Sequence, residues 1–475
     1  MTQLPKISPI ECTVNQQAQE NVPRLFLVGV GGIGMSGLAQ LLRYAGYEVA
    51  GSDRAYNAPD NAWLFNALRK QGIQIFPQDG SGVKDFKPDL LIASSAVEQG
   101  NPDFIEDIPI MHRAAALAQA LDLFRPEAKL IAVAGSCGKT STTGWIASAL
   151  EALGQRVLLV NGGYNVLPEE NDAPGNFHHS SGKTQWLIAE VDESDKSLVN
   201  FTPDYAMVLN VGNDHYEEAE LRRVFAQFLS KAKSGIVIQD ALKDIAPRFG
   251  MHIQTFGTTQ SPDCVSPQNY ACNEQGIVFE TAQFGKVKAQ QYGRHSAQNA
   301  CAVLALLSML DLGKTPAELA ASLFPYRGIR QRFEIMGTLN GNIPAINDYA
   351  HNPEKIAAAI STAQERYGSP LLAIFQPHGF NPLKFMREAL VETLSNLLHK
   401  DDVFLMLPVY YAGGTAAFKP TSDEVAEDLR KAGINASATD RDKAAEIIKT
   451  THAKAVLVMG ARDISLRTWT IQITQ

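Results

Sequence analysis

The segment Gly135-Ser-Cys-Gly-Lys-Thr-Ser141 combines the groups that phosphate chemistry asks for. An apolar strand pattern, Leu130-Ile-Ala-Val133, runs into it, and a helical pattern, Thr140 to Ala152, leaves it. Backbone N–H groups of such a turn cradle phosphates. Lys139 would offer positive charge to the outer phosphates, and the Thr140 hydroxyl could take Mg²⁺. A full P-loop needs glycine where this chain has Val133, so the loop is a shortened one. Cys137 sits among the loop amides, where a helix N-terminus can lower a thiol pKa. A small residue that fits the loop is the plainer reading.

Two further strand ends carry polar groups. Trp186-Leu-Ile-Ala189 is followed by Glu190, Asp192, Glu193 and Asp195, an oxygen-rich set that suits a hard cation such as Mg²⁺. Ala206-Met-Val-Leu209 is followed by Asn210-Val-Gly-Asn-Asp-His215, and His215 joins Thr140 and Glu190 as a candidate metal ligand. Nearer the N-terminus, Gly29-Val-Gly31-Gly32-Ile-Gly34 lies between the strand Arg24–Val28 and the helical stretch Met35–Tyr44. Glycines there permit a tight turn and close approach to a diphosphate. Asp53 lies 19 residues after Gly34, where an acidic residue can hold a ribose hydroxyl. This turn alone does not separate NAD from a UDP-sugar.

These turns need strands and helices to hold them, and the chain supplies three successive α/β blocks. The first uses strands at Arg24–Val28, Glu48–Ala50 and Leu90–Ala93, with a helix from Arg113 to Leu121. The second starts at Leu130. It includes a Pro-, Gly-, Asn- and Ser-rich loop from Leu167 to Lys183, short strands over 258–292 and a helix from Ala297 to Leu310. The third begins near Arg330, with strands at Ile343–Asn347, Leu371–Phe375, Val403–Leu407 and Ala455–Met459. The expected fold class is α/β with parallel sheets. The expected boundaries are an arm at 1–22 and domains at 23–126, 127–325 and 326–475.

Composition agrees. A length of 475 residues fits about three domains. Lys+Arg is 42 against Asp+Glu 50, a net charge of -8, which gives no reason to expect a broad nucleic-acid or membrane footprint. No apolar run reaches the length of a membrane span. Met1 to Gln19 is polar and lacks a signal-peptide core, so a cytoplasmic location is expected. Five cysteines without CxxC spacing give neither a disulfide framework nor a zinc site.

With these motifs assembled, the chain resembles a Mur ligase, closest to the alanine-adding branch. The likeness rests on Gly29 to Ala39 (GVGGIGMSGLA), Met111-His-Arg-Ala-Ala-Ala116, Gly135 to Thr142, Glu190 to Asp195, and Asn210 to His215. It continues through Gly293-Arg-His295 to Asn299, Arg330-Gln-Arg332-Phe-Glu334, Asn347-Asp-Tyr-Ala-His-Asn-Pro353, Phe375-Gln-Pro-His378 and Pro408-Val-Tyr410. The resemblance implies a Rossmann-like UDP-sugar domain, a central P-loop-type ATPase and a closing Rossmann-like C-terminal domain. It implies a reaction in which ATP activates the carboxylate of UDP-N-acetylmuramate as an acyl phosphate. An amino acid, L-alanine foremost, or a peptide then attacks through its amine, in peptidoglycan precursor synthesis.

By the same resemblance, Gly29, Gly31, Gly32, Gly34, Met35, Ser36 and Asp53 would serve the UDP-sugar. Gly135, Ser136, Cys137, Gly138, Lys139, Thr140, Ser141, Asn299, Arg332, Asp348 and Tyr349 would serve ATP. Lys139, Arg332 and His351 would be catalytic, and Thr140, Glu190 and His215 would hold Mg²⁺. The second and third blocks would close on their ligands. Some positions depart from the family. The central loop has Ser136-Cys137 for Thr-His, and Gly379 and Pro382 stand where alanine-adding members carry arginines suited to a carboxylate. Lys384 and Arg387 are the nearest cations.

Three alternatives stay open at this point. One is a murein-peptide-recycling ligase that adds a peptide. Another is a nucleotide-binding relative without catalysis. The third is a nicotinamide-dependent oxidoreductase, which would leave Lys139, Glu190 and the third block without a purpose.

Overall fold

The computed structural model describes residues 2–6, 22–125, 127–166, 173–193, 197–212, 218–247, 250–339, 341–411, 418–461 and 463–475. The first block comprises β1 (Arg24–Val28), α1 (Ile33–Tyr44), β2 (Glu48–Asp53), α2 (Ala62–Lys70), β3 (Gln74–Pro77), α3 (Ser81–Phe86), β4 (Leu90–Ala93), β5 (Ile110–His112) and α4 (Arg113–Asp122). Its strands lie in the order β3-β2-β1-β4-β5, every pairing parallel. Strand order reverses about β1, so the turn leaving β1 opens at a switch point, where open α/β sheets take ligands.

The second block comprises β6 (Lys129–Ala134), α5 (Lys139–Ala152), β7 (Val157–Val160), β8 (Phe177–His179), β9 (Trp186–Glu190), β10 (Tyr205–Val208), α6 (Glu218–Leu229), β11 (Gly235–Gln239), β12 (His252–Phe256) and β13 (Cys264–Val265). These strands form one sheet, β13-β12-β11-β10-β6-β9-β7-β8, in which only the β7–β8 pair runs antiparallel. The inner strands are buried along nearly their whole length, which explains their unbroken apolar runs. A small sheet follows, of β14 (Gln268–Asn273), β15 (Gly276–Thr281) and β16 (Gly285–Ala289), then α7 (Arg294–Met309) and α8 (Pro316–Ala321). Thr315 and Glu318 close a capping box on α8.

The third block comprises β17 (Glu334–Leu339), β18 (Ile343–Asp348), α9 (Pro353–Tyr367), β19 (Leu371–Gln376), α10 (Phe380–Leu397), β20 (Val403–Met406), α11 (Ser422–Lys431), β21 (Ala436–Ala438), α12 (Arg441–Lys449), β22 (Ala455–Gly460) and α13 (Ile464–Gln472). Its sheet runs β17-β18-β22-β19-β20-β21, parallel except for β17 against β18. The α/β class with parallel sheets is what the blocks predicted.

The main correction concerns the loop expected over Leu167–Lys183. Phe177–His179 is instead an edge strand on β7, with Phe177 buried against the core. Three residues are too few to show an alternation among glycines and serines. Part of that loop, and most of the expected arm at 1–22, lie outside the described residues.

The chain divides into two compact units. One is Met1–Tyr270 with Val278–Gln290 and Ala297–Ile329; the other is Arg330–Gln475 with Ala271–Ile277 and Gln291–Ser296. The first two blocks therefore share a unit, and one hydrophobic cluster runs through both. Asn176 is the polar clasp of that junction. Its amide donates to the Ile33 carbonyl (2.7 Å) and the Ser36 hydroxyl (2.8 Å), and its oxygen accepts from Gln40 (2.9 Å). Ser36 and Asn176 are fully buried and Gln40 nearly so. Asn176→Ala strands buried partners of α1 and is expected to cost about 1–3 kcal/mol. A denaturant midpoint equal to wild type would contradict this.

Candidate active site

Strands β10, β6 and β9 are neighbours, so their carboxyl ends deliver three loops side by side. Val208 pairs with Ala134, and Val133 with Glu190. Backbone and side-chain bonds stitch the loops together. Asn210 clamps Cys137 through both main-chain groups, accepting from its N–H (2.7 Å) and donating to its carbonyl (2.9 Å). The Ser136 hydroxyl accepts from the Gly212 N–H at 2.8 Å. Gly138 caps α5 at φ +83, and a Cβ there would lie 2.8 Å from the Asn299 side-chain oxygen. This position therefore excludes any side chain, and it brings Asn299 against the loop. Ser141 follows in the first turn of α5.

The Lys139 ammonium donates to the Gly135 carbonyl (2.6 Å) and to both carboxylate oxygens of Glu193 (3.0 and 2.7 Å). The Lys139 and Glu193 side chains are 13% and 4% exposed. Burial alone would push the Lys139 pKa down. Glu193, then Glu190 and Asp192, outweigh it and hold the ammonium above its ordinary range. Burial raises the Glu193 carboxyl, opposed by Lys139. The ammonium is therefore already engaged by Glu193 through both oxygens. Sequence reading passed over Glu193 as one acid among several; its pairing with Lys139 is set by the packing of two separate loops.

Thr140 is buried, and Glu190 accepts from the Gly162 N–H at 2.9 Å. A hydroxyl and a carboxylate form a hard-oxygen set. Among the described residues no group of three or more His, Cys, Asp or Glu could hold a metal ion. Hard oxygen donors of this kind are the chemistry that a cation such as Mg²⁺ takes. His215 lies outside the described residues.

At the first glycine turn the structure differs from the expected open cradle. The N–H groups of Gly29 and Val30 both bond the Ser52 carbonyl (2.8 Å each), Gly32 bonds Gly29, and Gly31 bonds the Asp53 carboxylate at 2.8 Å. The other Asp53 oxygen accepts from Ala55 N–H. Asp53 thus shapes the turn, and a Cβ on Gly31 would meet its carboxylate at 2.7 Å. Met35 and Ser36 are buried, the Ser36 hydroxyl donating to Gly32 and accepting from Asn176. A cation at this turn is Arg113, the first residue of α4, whose guanidinium lies 2.9 Å from where a Gly34 Cβ would sit. It stands in the Met-His-Arg motif, a signal that sequence reading noted without giving it a role.

In the second unit, Asp348 ends β18 and accepts from the N–H groups of Phe333 and Ala350, 2.7 Å each. Burial pushes its carboxyl up, opposed by Arg332 and those two bonds. Tyr349 N–H donates to the Gln331 carbonyl at 2.7 Å. Gln331 and Phe333 hold positive φ, +60 and +46, on either side of Arg332. These bonds sustain a strained backbone that sets the Arg332 guanidinium 5.8 Å over the Tyr349 ring. His351 Nδ1–H donates to the Tyr349 carbonyl at 2.9 Å, and its ring meets that of His378 edge-on at 5.1 Å. Burial, then Lys355, lowers the His351 pKa to about 3. His351 is therefore a neutral acceptor through Nε2 rather than a proton store. Gly379 caps α10, Lys384 is exposed, and Arg387 is bound to Asp428 at 2.6 Å.

Sequence models of known domains match in the same order. The Mur ligase family catalytic domain matches residues 25–125, the Mur ligase middle domain 133–307, and the Mur ligase glutamate ligase domain 331–462. A UDP-N-acetylmuramate–L-alanine ligase of Streptomyces coelicolor is 31% identical over 93% of this chain and 95% of its own length. The chain belongs to the Mur ligase family. As a member it is an ATP-dependent ligase. Another UDP-N-acetylmuramate–L-alanine ligase, from Baumannia cicadellinicola, is 31% identical over 86% of this chain and 84% of its own. The solved UDP-N-acetylmuramate-alanine ligase of Thermotoga maritima superposes with a TM-score of 0.75 at 26% identity, over 94% of this chain and 98% of that one. A murein peptide ligase from Psychrobacter arcticus shares the Mur ligase fold, with a TM-score of 0.68 at 18% identity over 95% of this chain and 98% of its own.

Two predictions follow from the charges at these sites. Glu193→Gln removes the competitor for Lys139, and ADP binding measured by calorimetry is expected to tighten about tenfold, since a charge-assisted bond of about 1.5–3 kcal/mol no longer opposes it. Weaker binding would show that Glu193 serves the nucleotide directly. The second concerns acid. Burial, then Lys355, lowers the His351 pKa from 6.5 to about 3. Between that value and 6.5 the unfolded chain binds a proton that the folded chain refuses, so stability falls as pH drops through that window. His351→Gln should flatten the pH dependence of the denaturant midpoint; an unchanged slope would refute the assignment.

Proposed function

We propose that this ligase joins the carboxylate of UDP-N-acetylmuramate to the amine of an amino acid, L-alanine foremost. The observation that carries the reading is the Lys139 ammonium at the mouth of β6, beside Thr140 and the Glu190 strand end. ATP supplies the phosphoryl group that activates the carboxylate, and phosphate leaves as the amide forms. The protein's contribution is positioning and charge stabilisation.

In this reading the loop from Gly135 to Ser141 cradles the phosphates, and Lys139 leaves Glu193 to neutralise the oxygens of the transferring group. Thr140 and Glu190, with His215, would hold Mg²⁺, whose charge further offsets that of the phosphates. Asn299, Arg332, Asp348 and Tyr349 serve the nucleotide, Arg332 at the phosphates and Asp348 at the ribose. His351 accepts a hydrogen bond from the incoming amine. Arg113 meets the diphosphate of the UDP-sugar at the turn that Gly29, Gly31, Gly32, Gly34 and Asp53 shape, and Met35 and Ser36 anchor the helix behind it.

A peptide amine is the second reading. Gly379 and Pro382 bring no charge, and Arg387 is engaged by Asp428, so a compact carboxylate clamp is lacking among these positions. Phosphate release with UDP-N-acetylmuramate, ATP and a panel of amino acids and peptides separates the two. L-Alanine is expected to give the highest kcat/KM; turnover with a tripeptide alone would reject it. Lys139→Ala is expected to lower kcat by about 10²–10³-fold. Wild-type turnover in that variant would contradict the mechanism.

A further inference from the structure

We propose that Trp63 and Tyr164 form the platform on which the sugar ring of the substrate lies. The inference rests on the ligase reading above and adds the contact for the part of the substrate between its two charged ends. In that reading the diphosphate lies at the first glycine turn and the carboxylate must reach Lys139. The hexose that joins them crosses from the first block to the second.

A chain of contacts within the first unit spans the same interval. On α2, Phe65 lies 3.1 Å from where a Gly31 Cβ would sit, so this helix packs on the first turn. Trp63, two residues earlier on α2, meets Tyr164 edge-on, centroids 5.0 Å apart at 80°. Tyr164 belongs to the loop Asn161-Gly-Gly-Tyr-Asn165, which is pinned to the phosphate site. Asn161 donates to the Thr140 carbonyl (3.0 Å), Gly162 N–H donates to Glu190 (2.9 Å), and a Gly163 Cβ would lie 2.6 Å from the Thr140 methyl. Tyr164 is thus held in register with Thr140 and Glu190, and Trp63 with the first turn.

The chemistry suits a saccharide. A pyranose ring presents an apolar face of C–H bonds and a polar rim. An indole and a phenol at right angles offer it a flat wall and an edge, and they demand no charge. Trp63 is 38% exposed, whereas Trp145, Trp186 and Trp469 are 1%, 7% and 9% exposed. An accessible indole in this interval is what such a wall requires. It also provides its own optical probe.

The test pairs calorimetry with tryptophan fluorescence, titrating UDP-N-acetylmuramate and, separately, UDP. The nucleotide sugar is expected to change the emission and UDP to leave it nearly unaltered, although both bind. Trp63→Phe should abolish the change yet keep most of the affinity, because a ring remains. Trp63→Ala should raise KM for the nucleotide sugar about tenfold and leave KM for ATP in place. An equal change with UDP would assign the indole to uracil and overturn the proposal. So would equal losses in the Phe and Ala variants, which denote a packing role. If UDP-N-acetylmuramate fails to bind wild-type protein at all, the ligase reading falls first, and the platform with it.

Discussion

Parallel strand pairing is the constraint on which the rest of this structure depends. Strands that all point one way place every exit loop on one edge of the sheet. In the second block that edge brings together the loops after β6, β9 and β10, residues far apart in the chain. The loops that carry Lys139, Glu190 and Asn210 lie side by side because Val133 pairs with Glu190 and Val208 with Ala134. The same rule puts Asp348 and Gln376 beside β22 in the third block, Asp348 opposite Met459 and Gln376 opposite Gly460.

Once the loops are gathered, electrostatics decides what each can do. A buried ammonium needs a counter-charge, and Glu193 provides it through both oxygens. The ammonium is therefore satisfied internally, by Glu193 and the Gly135 carbonyl. Asp53 and Asp348 follow a related pattern. Each spends its oxygens on two backbone amides and so fixes the loop that carries neighbouring groups. Such carboxylates act first by shaping the backbone.

Much of the fold was legible because its signals are local. Apolar runs marked the inner strands, and glycines followed by helical patterns marked the turns after β1 and β6. Family resemblance supplied the order of motifs. Edge elements were less visible. Phe177–His179 is short, half of its neighbourhood is polar, and its strand character comes from the partner β7. Ser36 shows the same limit. Within a glycine-turn motif it reads as a ligand contact, and only the packing of Asn176 against α1 reveals a buried clasp.

By itself the sequence determined the α/β class, the two glycine turns and the family. Each depends on residue type and short spacing, which chain order preserves. Tertiary structure alone decided that Glu193 holds Lys139, that Arg113 rather than open amides faces the first turn, and that Trp63 meets Tyr164. Those pairs lie 54, 79 and 101 residues apart, counted for Arg113 to Gly34 in the second case. Contacts over such separations depend on how sheets and helices stack, and side-chain identity along the chain carries no record of that stacking.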